Sequence, residues 1–291
     1  MNMAQMNGLV RWYLKKAARQ AVVLGASASG WPAMLAAVDP SPQVRVLTYH
    51  RFGTTGRDPY CVSRDVFERQ MAWVAAQGCA VSLADVEAFI GGKKTPPRNA
   101  VLVTIDDGCV SVYRDALPVL RRHRIPAVVF VPAGEIGHDD GTPHDAGCPE
   151  RRLTWSELVA LSAGGLTIGS HAWTHRSLAH LSALEMREET ECSRTVLERN
   201  TGQRVTAFAY PFGTRADFNG ETTAAVRRSG YTCAFTSQHG ALRRGADVWT
   251  LPRVKVEGGE APWMFPLLCR GALDGWRWVD RTLWRLQERA G

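Results

Sequence analysis

The chain of 291 residues contains no CxxC pair, no GxGxxG after its first strand pattern, no GxxxxGK[ST] loop and no HExxH. The two missing glycine loops exclude nucleotide-binding versions of an α/β fold. The missing HExxH excludes a helix that carries two metal-ligating histidines with a base between them. Seven cysteines, Cys61, Cys79, Cys109, Cys148, Cys192, Cys233 and Cys269, are odd in number, widely spaced and several lie inside apolar runs. They read as reduced thiols in a large domain and not as a disulfide framework. Cys109 reads as a small residue packed behind a turn, since nothing beside it activates a thiolate. The net charge is +7 with a pI near 9.2, and both signs are spread along the chain. No basic stripe carries interleaved aromatics, so nucleic acid is excluded as a partner, and the mild bias suits an anionic membrane surface or an acidic substrate.

Acidic residues are absent from positions 1 to 38, where Arg11, Lys15, Lys16 and Arg19 stand among Leu9, Val10, Trp12, Tyr13 and Leu14. The apolar run that follows is short and broken by Gly30-Trp31-Pro32, which argues against a transmembrane helix. A secretory signal would share the basic and apolar regions and the Leu-Ala-Ala before Asp39. The dispersed cysteines argue against export. Residues 1–40 are therefore expected to be a membrane-associating segment, peripheral at the inner face of the cytoplasmic membrane, with export to the periplasm as the alternative.

From Val44 onward, strand and helix patterns alternate. Val44 to Tyr49 reads as a strand ending on His50, and Ala100 to Ile105 as a buried strand ending on Asp106-Asp107-Gly108. Ala127 to Val131, Leu166 to Gly169, Val205 to Ala209, Thr232 to Thr236 and Val248 to Val256 are further strands. Helices are expected around Phe67, Met71 and Val74, over Leu83 to Ile90, from Trp155 to Ala163, from Ser182 to about Asn200, over Thr222 to Ser229, and from Met264 to Ala290. The polar stretch with His138, Asp139, Asp140, His144, Asp145 and Cys148 matches no compact metal site and reads as a solvated rim loop. The alternation predicts an α/β fold with a parallel sheet, closed or nearly closed into a barrel. In such barrels the chemistry gathers at the C-terminal ends of the strands.

Those ends collect polar groups: His50, then Asp106 and Asp107, then His171-Ala-Trp-Thr-His175, then Tyr210-Pro-Phe-Gly213, then Leu251-Pro-Arg253. Two adjacent carboxylates can divide labour, one holding a metal and the other moving a proton. Histidines four apart share a face if the segment makes a helical turn, and with a carboxylate they form a three-ligand site with open positions. Each motif alone has a bland reading, a capped Asp-Gly turn or a pair of unconnected histidines. Trp173, Tyr210 and Phe212 can stack on a sugar or fill a core.

Thr104-Ile-Asp-Asp-Gly108, Ser170-His-Ala-Trp-Thr-His175 and Tyr210-Pro-Phe-Gly213 together resemble the motifs of the polysaccharide deacetylase family, the NodB-homology domain of carbohydrate esterase family four. The resemblance runs from Val44 to Val256 and frames a catalytic domain over 41–258, with 259–291 as a helical extension. It implies a distorted (β/α) barrel and metal-assisted removal of acetyl groups from an amino-sugar glycan, such as an exopolysaccharide or a lipid-linked glycan. It also implies that Asp107, His171 and His175 hold a divalent metal, usually zinc, that Asp106 is the base, and that the Phe212 N–H helps hold the oxyanion. Trp173, Tyr210 and Phe212 are the expected sugar contacts. Two positions depart from the family. Its third motif has an arginine where this chain has Ala209, and Arg253 is the expected substitute. Its late Leu-x-x-His is missing, but Leu47-Thr-Tyr-His50 resembles members with a permuted barrel, so His50 is the expected acid and His239 the reserve. The competing readings are an amide hydrolase acting on a small non-sugar C–N bond and a catalytically lapsed carbohydrate-binding module.

Overall fold

The structure, a computed structural model, describes residues 3–30, 41–54, 58–137 and 150–277. Seven strands form a closed parallel barrel: β1 (Val44–Tyr49), β4 (Ala100–Ile105), β5 (Ala127–Val131), β6 (Thr167–Ser170), β7 (Ala207–Ala209), β8 (Cys233–His239) and β9 (Leu251–Lys255). Closure comes from β9 pairing with β1, with Leu47 opposite Val254. β2 (Arg51–Phe52) and β3 (Cys61–Val62) form a separate two-stranded sheet above β1. The expected (β/α) barrel is therefore present, with strand ends displaced by a few residues at β7, β8 and β9.

The strands bury both faces, which explains their unbroken apolar runs. Val46, Leu102, Val128, Phe130, Phe235 and Leu251 fill the inside. Leu47, Tyr49, Val101, Val103, Val129 and Val131 belong to the larger cluster beneath the helices. Among those helices, α2 (Arg64–Gln77) and α3 (Leu83–Ile90) start on Ser63 and Ser82, and α3 has a full capping box with Asp85. Val86, Phe89 and Ile90 of α3 join the same cluster as Val44 and Leu102, so the N-terminal end of the barrel is plugged with apolar side chains. Polar chemistry is left with the opposite rim.

The remaining helices follow the crossover pattern: α4 (Leu117–His123), α5 (Trp155–Ala163), α6 (Ala183–Arg187), α7 (Ser193–Thr201), α8 (Gly220–Arg228) and the short α9 (Met264–Cys269). A π-helical turn, Glu188–Cys192, joins α6 to α7. The C-terminal helix is shorter than expected: α9 ends at Cys269, and Gly271 takes a left-handed φ of 91° that a helix cannot continue through. The expectation for the rest of that helix falls partly on 278–291, outside the described residues. The polar loop with His138, Asp139, Asp140, His144, Asp145 and Cys148 also lies outside them.

Two further expectations meet the structure at the periphery. Cys61, Cys79, Cys192, Cys233 and Cys269 are free thiols, but Cys109 is disulfide-bonded, so the reading of uniformly reduced thiols is corrected there. That removes part of the case against export. The N-terminal segment forms α1 (Met3–Ala28). Its Lys16 and Arg19 are buried against the barrel and paired with Glu257 and Glu260. No helix among the described residues is long and apolar enough to cross a membrane.

Candidate metal centre

β4 delivers the two carboxylates as the strand pattern implies. Asp106 continues the strand, its N–H donating to the Tyr49 carbonyl at 2.9 Å. The next residue, Asp107, turns left-handed at φ 72°, followed by Gly108 at φ 64°. A Cβ on Gly108 would stand 2.9 Å from Val131 Cγ1, so the turn needs glycine for space as well as for conformation. Arg152, itself buried, donates to the Asp107 carbonyl at 2.6 Å and pairs with Glu135 at 2.7 Å, which pins the turn from behind.

His171 and His175 leave the end of β6, but not on a helix. The segment is a loop in which Ala172 and His175 take left-handed φ values of 67° and 57°. The expected helical turn is thus corrected: two reversals, rather than a 3.6-residue period, bring the imidazoles together. Glu189, 2 % exposed, holds this loop by accepting the N–H groups of Trp173 and Thr174 at 2.8 and 2.9 Å and the Thr174 hydroxyl. It projects from the π-helical turn, a local widening of the helix that often marks functional sites.

The result is a compact donor set. Ligand atoms of Asp107, His171 and His175 lie within 4.8 Å of one another. Asp107 Oδ1 is 3.6 Å from His171 Nε2 and 3.4 Å from His175 Nε2. Since a carbonyl can only accept, His171 Nδ1–H donates to the Ala209 carbonyl at 2.7 Å, which leaves Nε2 with its lone pair toward Asp107. Ligands about 2.1 Å from one tetrahedral ion stand about 3.4 Å apart, so these three residues fit a divalent metal with open positions. Burial would raise the Asp107 carboxyl, but the imidazoles of His171, His175 and His50 around it outweigh this and hold it well below the usual range.

Beside the donor set, Asp106 is gripped by Arg253 of β9. The guanidinium donates to both carboxylate oxygens, at 2.8 and 2.7 Å. It is fixed in turn by Nε donating to the Thr236 carbonyl at 2.9 Å and by NH1 reaching Thr104 Oγ1 at 3.3 Å. Burial pushes the Asp106 carboxyl up, and Arg253, with His171 and His50, holds it below its ordinary value. Position 209 is alanine, and the arginine that holds Asp106 comes from a different strand, β9.

His50 stands at the end of β1, level with Asp106 through the Tyr49–Asp106 backbone bond. Burial lowers it against the raising effect of Asp107 and Asp106. The charges acting on His239 are instead Arg19, Arg45 and Lys255, none of them in the donor set, and burial pushes it down to about 3.

The aromatic expectations divide. Phe212, 55 % exposed, takes a φ of 59° at the turn after β7, its ring centroid 5.0 Å from that of His175. Trp173 is half-buried and rests against Gly134, where an added Cβ would stand 2.7 Å from the indole nitrogen. Tyr210 is fully buried, stacked on Phe218 and donating its hydroxyl to the Trp249 carbonyl at 3.0 Å. It has no face for a sugar, and the expectation that it is a sugar contact is corrected. Sequence reasoning missed Tyr60, 49 % exposed, which meets the His50 ring edge-on at 4.9 Å. It missed Glu189 and Arg152 as well. No local pattern singles out these three, because their partners are distant in sequence or lie across an irregular loop.

Comparison with known proteins agrees with this geometry. The family profile for polysaccharide deacetylase matches residues 93–234. A Bacillus subtilis (strain 168) protein named as a polysaccharide deacetylase, YxkH, is 27% identical over 215 residues, covering 74% of this chain and 71% of that one. The poly-beta-1,6-N-acetyl-D-glucosamine N-deacetylase of Staphylococcus aureus (strain MRSA252) is 21% identical over 206 residues, 68% of each chain. The structure of IcaB from Ammonifex degensii superposes with a TM-score of 0.67 at 27% identity, covering 80% of this chain and 97% of that one. The Streptococcus pyogenes deacetylase PplD, solved with acetate, has the same fold, with a TM-score of 0.67 at 21% identity over 77% of this chain and 96% of its own. With the Asp-Asp-Gly strand, the paired histidines and the closed barrel all in place, the chain is similar to the polysaccharide deacetylase family, whose profile spans the Asp106–Asp107 and His171–His175 motifs.

Proposed function

We propose that this protein is a carbohydrate N-deacetylase, a hydrolase of a non-peptide C–N bond that converts N-acetylglucosamine units of a glycan to free amines. The observation that carries the reading is the donor set of Asp107, His171 and His175 beside a carboxylate held in both oxygens by an arginine. Asp107, His171 and His175 would hold a divalent metal, with zinc favoured by the mixed carboxylate and imidazole set. Such an ion, when bound, polarises the amide carbonyl and lowers the pKa of water.

The chain's own groups do the rest. Asp106, kept anionic by Arg253, takes a proton from the attacking water as the C–O bond forms. The backbone N–H of Phe212, presented by its left-handed turn, donates to the developing oxyanion. His50 gives a proton to the amine nitrogen as the C–N bond breaks, releasing acetate and a free amine. Phe212, with Trp173 at its half-exposed edge, is the proposed sugar platform. Arg253 on Asp106 removes the main support for a lapsed binding module, because the base is held despite Ala209.

The substrate follows the relatives. An acetylated β-1,6-linked glucosamine polymer is the first candidate, since a named N-deacetylase of that polymer and IcaB are both similar to this chain. Incubating the zinc-loaded protein with acetylated β-1,6-glucosamine oligomers and measuring acetate release tests the reading. Release should stop with Asp106→Asn and with a chelator. Equal release from Asp106→Asn, or none from the wild type on any acetylated amino sugar, would overturn it.

A further inference from the structure

We propose that the outward face of α1 docks on an anionic lipid bilayer, lying in the boundary between headgroups and acyl chains. Two of the helix's charges point inward: Lys16 and Arg19 are 5 % and 1 % exposed. Lys16 Nζ is 2.8 Å from Glu257 Oε2, Arg19 Nε is 2.7 Å from Glu260 Oε1, and Arg19 NH2 donates to the Lys255 carbonyl at 3.0 Å. The guanidinium also lies over Trp276, 5.7 Å from the ring centroid. The outward side carries Tyr13, Leu14 and Leu24, exposed by 54 %, 64 % and 53 %. Ala17, Ala18 and Ala21 lie exposed between them, so these residues recur at helical spacing.

The choice of occupant follows from charge. Residues 1 to 38 carry no acid, and every charge in them is positive. An anionic surface complements this segment. A second copy would bring the same acid-free segments together with nothing opposite to offset them, because an isologous contact repeats one patch on both partners. Spanning is not available to this helix. An in-plane helix with an apolar outer stripe and a tyrosine is left. Lys16 and Arg19 are consumed by Glu257 and Glu260, so the complement to an anionic surface comes from the segment's other cations, Arg11 and Lys15, while the tyrosine and leucines supply apolar contact. The inference does not rest on the catalytic reading, since none of these residues belongs to the metal centre.

The test uses the full chain with vesicles of phosphatidylglycerol and phosphatidylcholine, and with phosphatidylcholine alone. The wild type should co-sediment with the anionic vesicles. Leu14→Glu combined with Leu24→Glu should weaken binding at least about tenfold, since each leucine loses its share of buried apolar area. Leu14→Phe with Leu24→Phe should keep it, while acetate release from a soluble oligomer stays at the wild-type rate in both. Failure of the wild type to bind anionic vesicles, or undiminished binding by the glutamate variant, would overturn the proposal. So would a change from dimer to monomer by light scattering in that variant, because the face would then join two copies of the chain.

Discussion

Asp106 is almost without solvent, and the side chain that grips both its oxygens comes from another strand. Replacing Arg253 with Gln leaves that carboxylate buried without its pair, so its pKa rises. A base must be deprotonated, and the acid limb of the rate–pH profile should therefore move to higher pH, with kcat falling on the order of a hundredfold. Arg253→Lys should recover part of this, because one ammonium cannot grip both oxygens. Metal content should be unchanged in both, whereas His171→Ala should lose metal and activity together by elemental analysis and acetate release. His50→Ala should keep its metal and its fold and lose the alkaline limb along with most of kcat. Since burial holds His50 below an ordinary imidazole against Asp107 and Asp106, that limb lies on the acid side of the usual histidine range. Near-normal kcat in this variant would assign His50 to packing. Asp106, Asp107, His171 and His175 were legible because an adjacent carboxylate pair ending an apolar strand is costly to bury and stands with the two histidines in the motif order the resemblance rests on. Arg253 was legible only through Ala209, whose missing guanidinium had to come from elsewhere. Tyr210 was not, because nothing in Tyr-Pro-Phe-Gly says which aromatic turns inward.

At the scale of elements, the helix starts were readable and the functional loop was not. Thr154 with Glu157 and Ser182 with Glu185 form the capping boxes their spacing suggests, and the helix expected after Ser82 starts on a further box with Asp85. Such boxes are local, with donor and acceptor three residues apart. The loop from His171 to His175 is ordered instead by Glu189, a residue on a distant helical turn, and by two left-handed residues that are not glycine. Strain of this kind persists only where surrounding contacts over-determine it. Glu189→Gln keeps the shape but weakens acceptance of two N–H groups and a hydroxyl. Metal affinity should fall about tenfold to a hundredfold, as for other groups that orient a ligand. Titration of the apoprotein with zinc measures this, and an unchanged affinity would show that the loop holds itself. The barrel was legible for the opposite reason: seven strand patterns alternating with helices admit few closed arrangements.

For the molecule as a whole, the outer charges are spent on assembly. The buried quartet of Lys16, Arg19, Glu257 and Glu260 fastens α1 to the segment that follows β9. Arg19→Met would leave two glutamates buried together and should cost about 3–5 kcal/mol, seen as a lower melting temperature, with Glu260→Gln in the same chain restoring part of it. Acid should act on the fold through a different group. His239 is buried with Arg19, Arg45 and Lys255 acting on it, and its pKa falls from 6.5 to about 3 in the folded chain. Unfolding restores the ordinary value, so between those two pH values the unfolded chain binds a proton that the folded chain refuses. The stability associated with the neutral ring is thus present above pH 6.5 and is lost as pH falls toward about 3. Each tenfold difference in proton affinity between the two states is worth about 1.4 kcal/mol, so the loss amounts to a few kcal/mol at the acid end. His239→Gln removes the titrating group while keeping a polar side chain of similar size. Its denaturant midpoint should fall less steeply than the wild type's between neutral pH and pH about 4, and parallel curves for the two proteins would assign the acid sensitivity to the paired carboxylates instead.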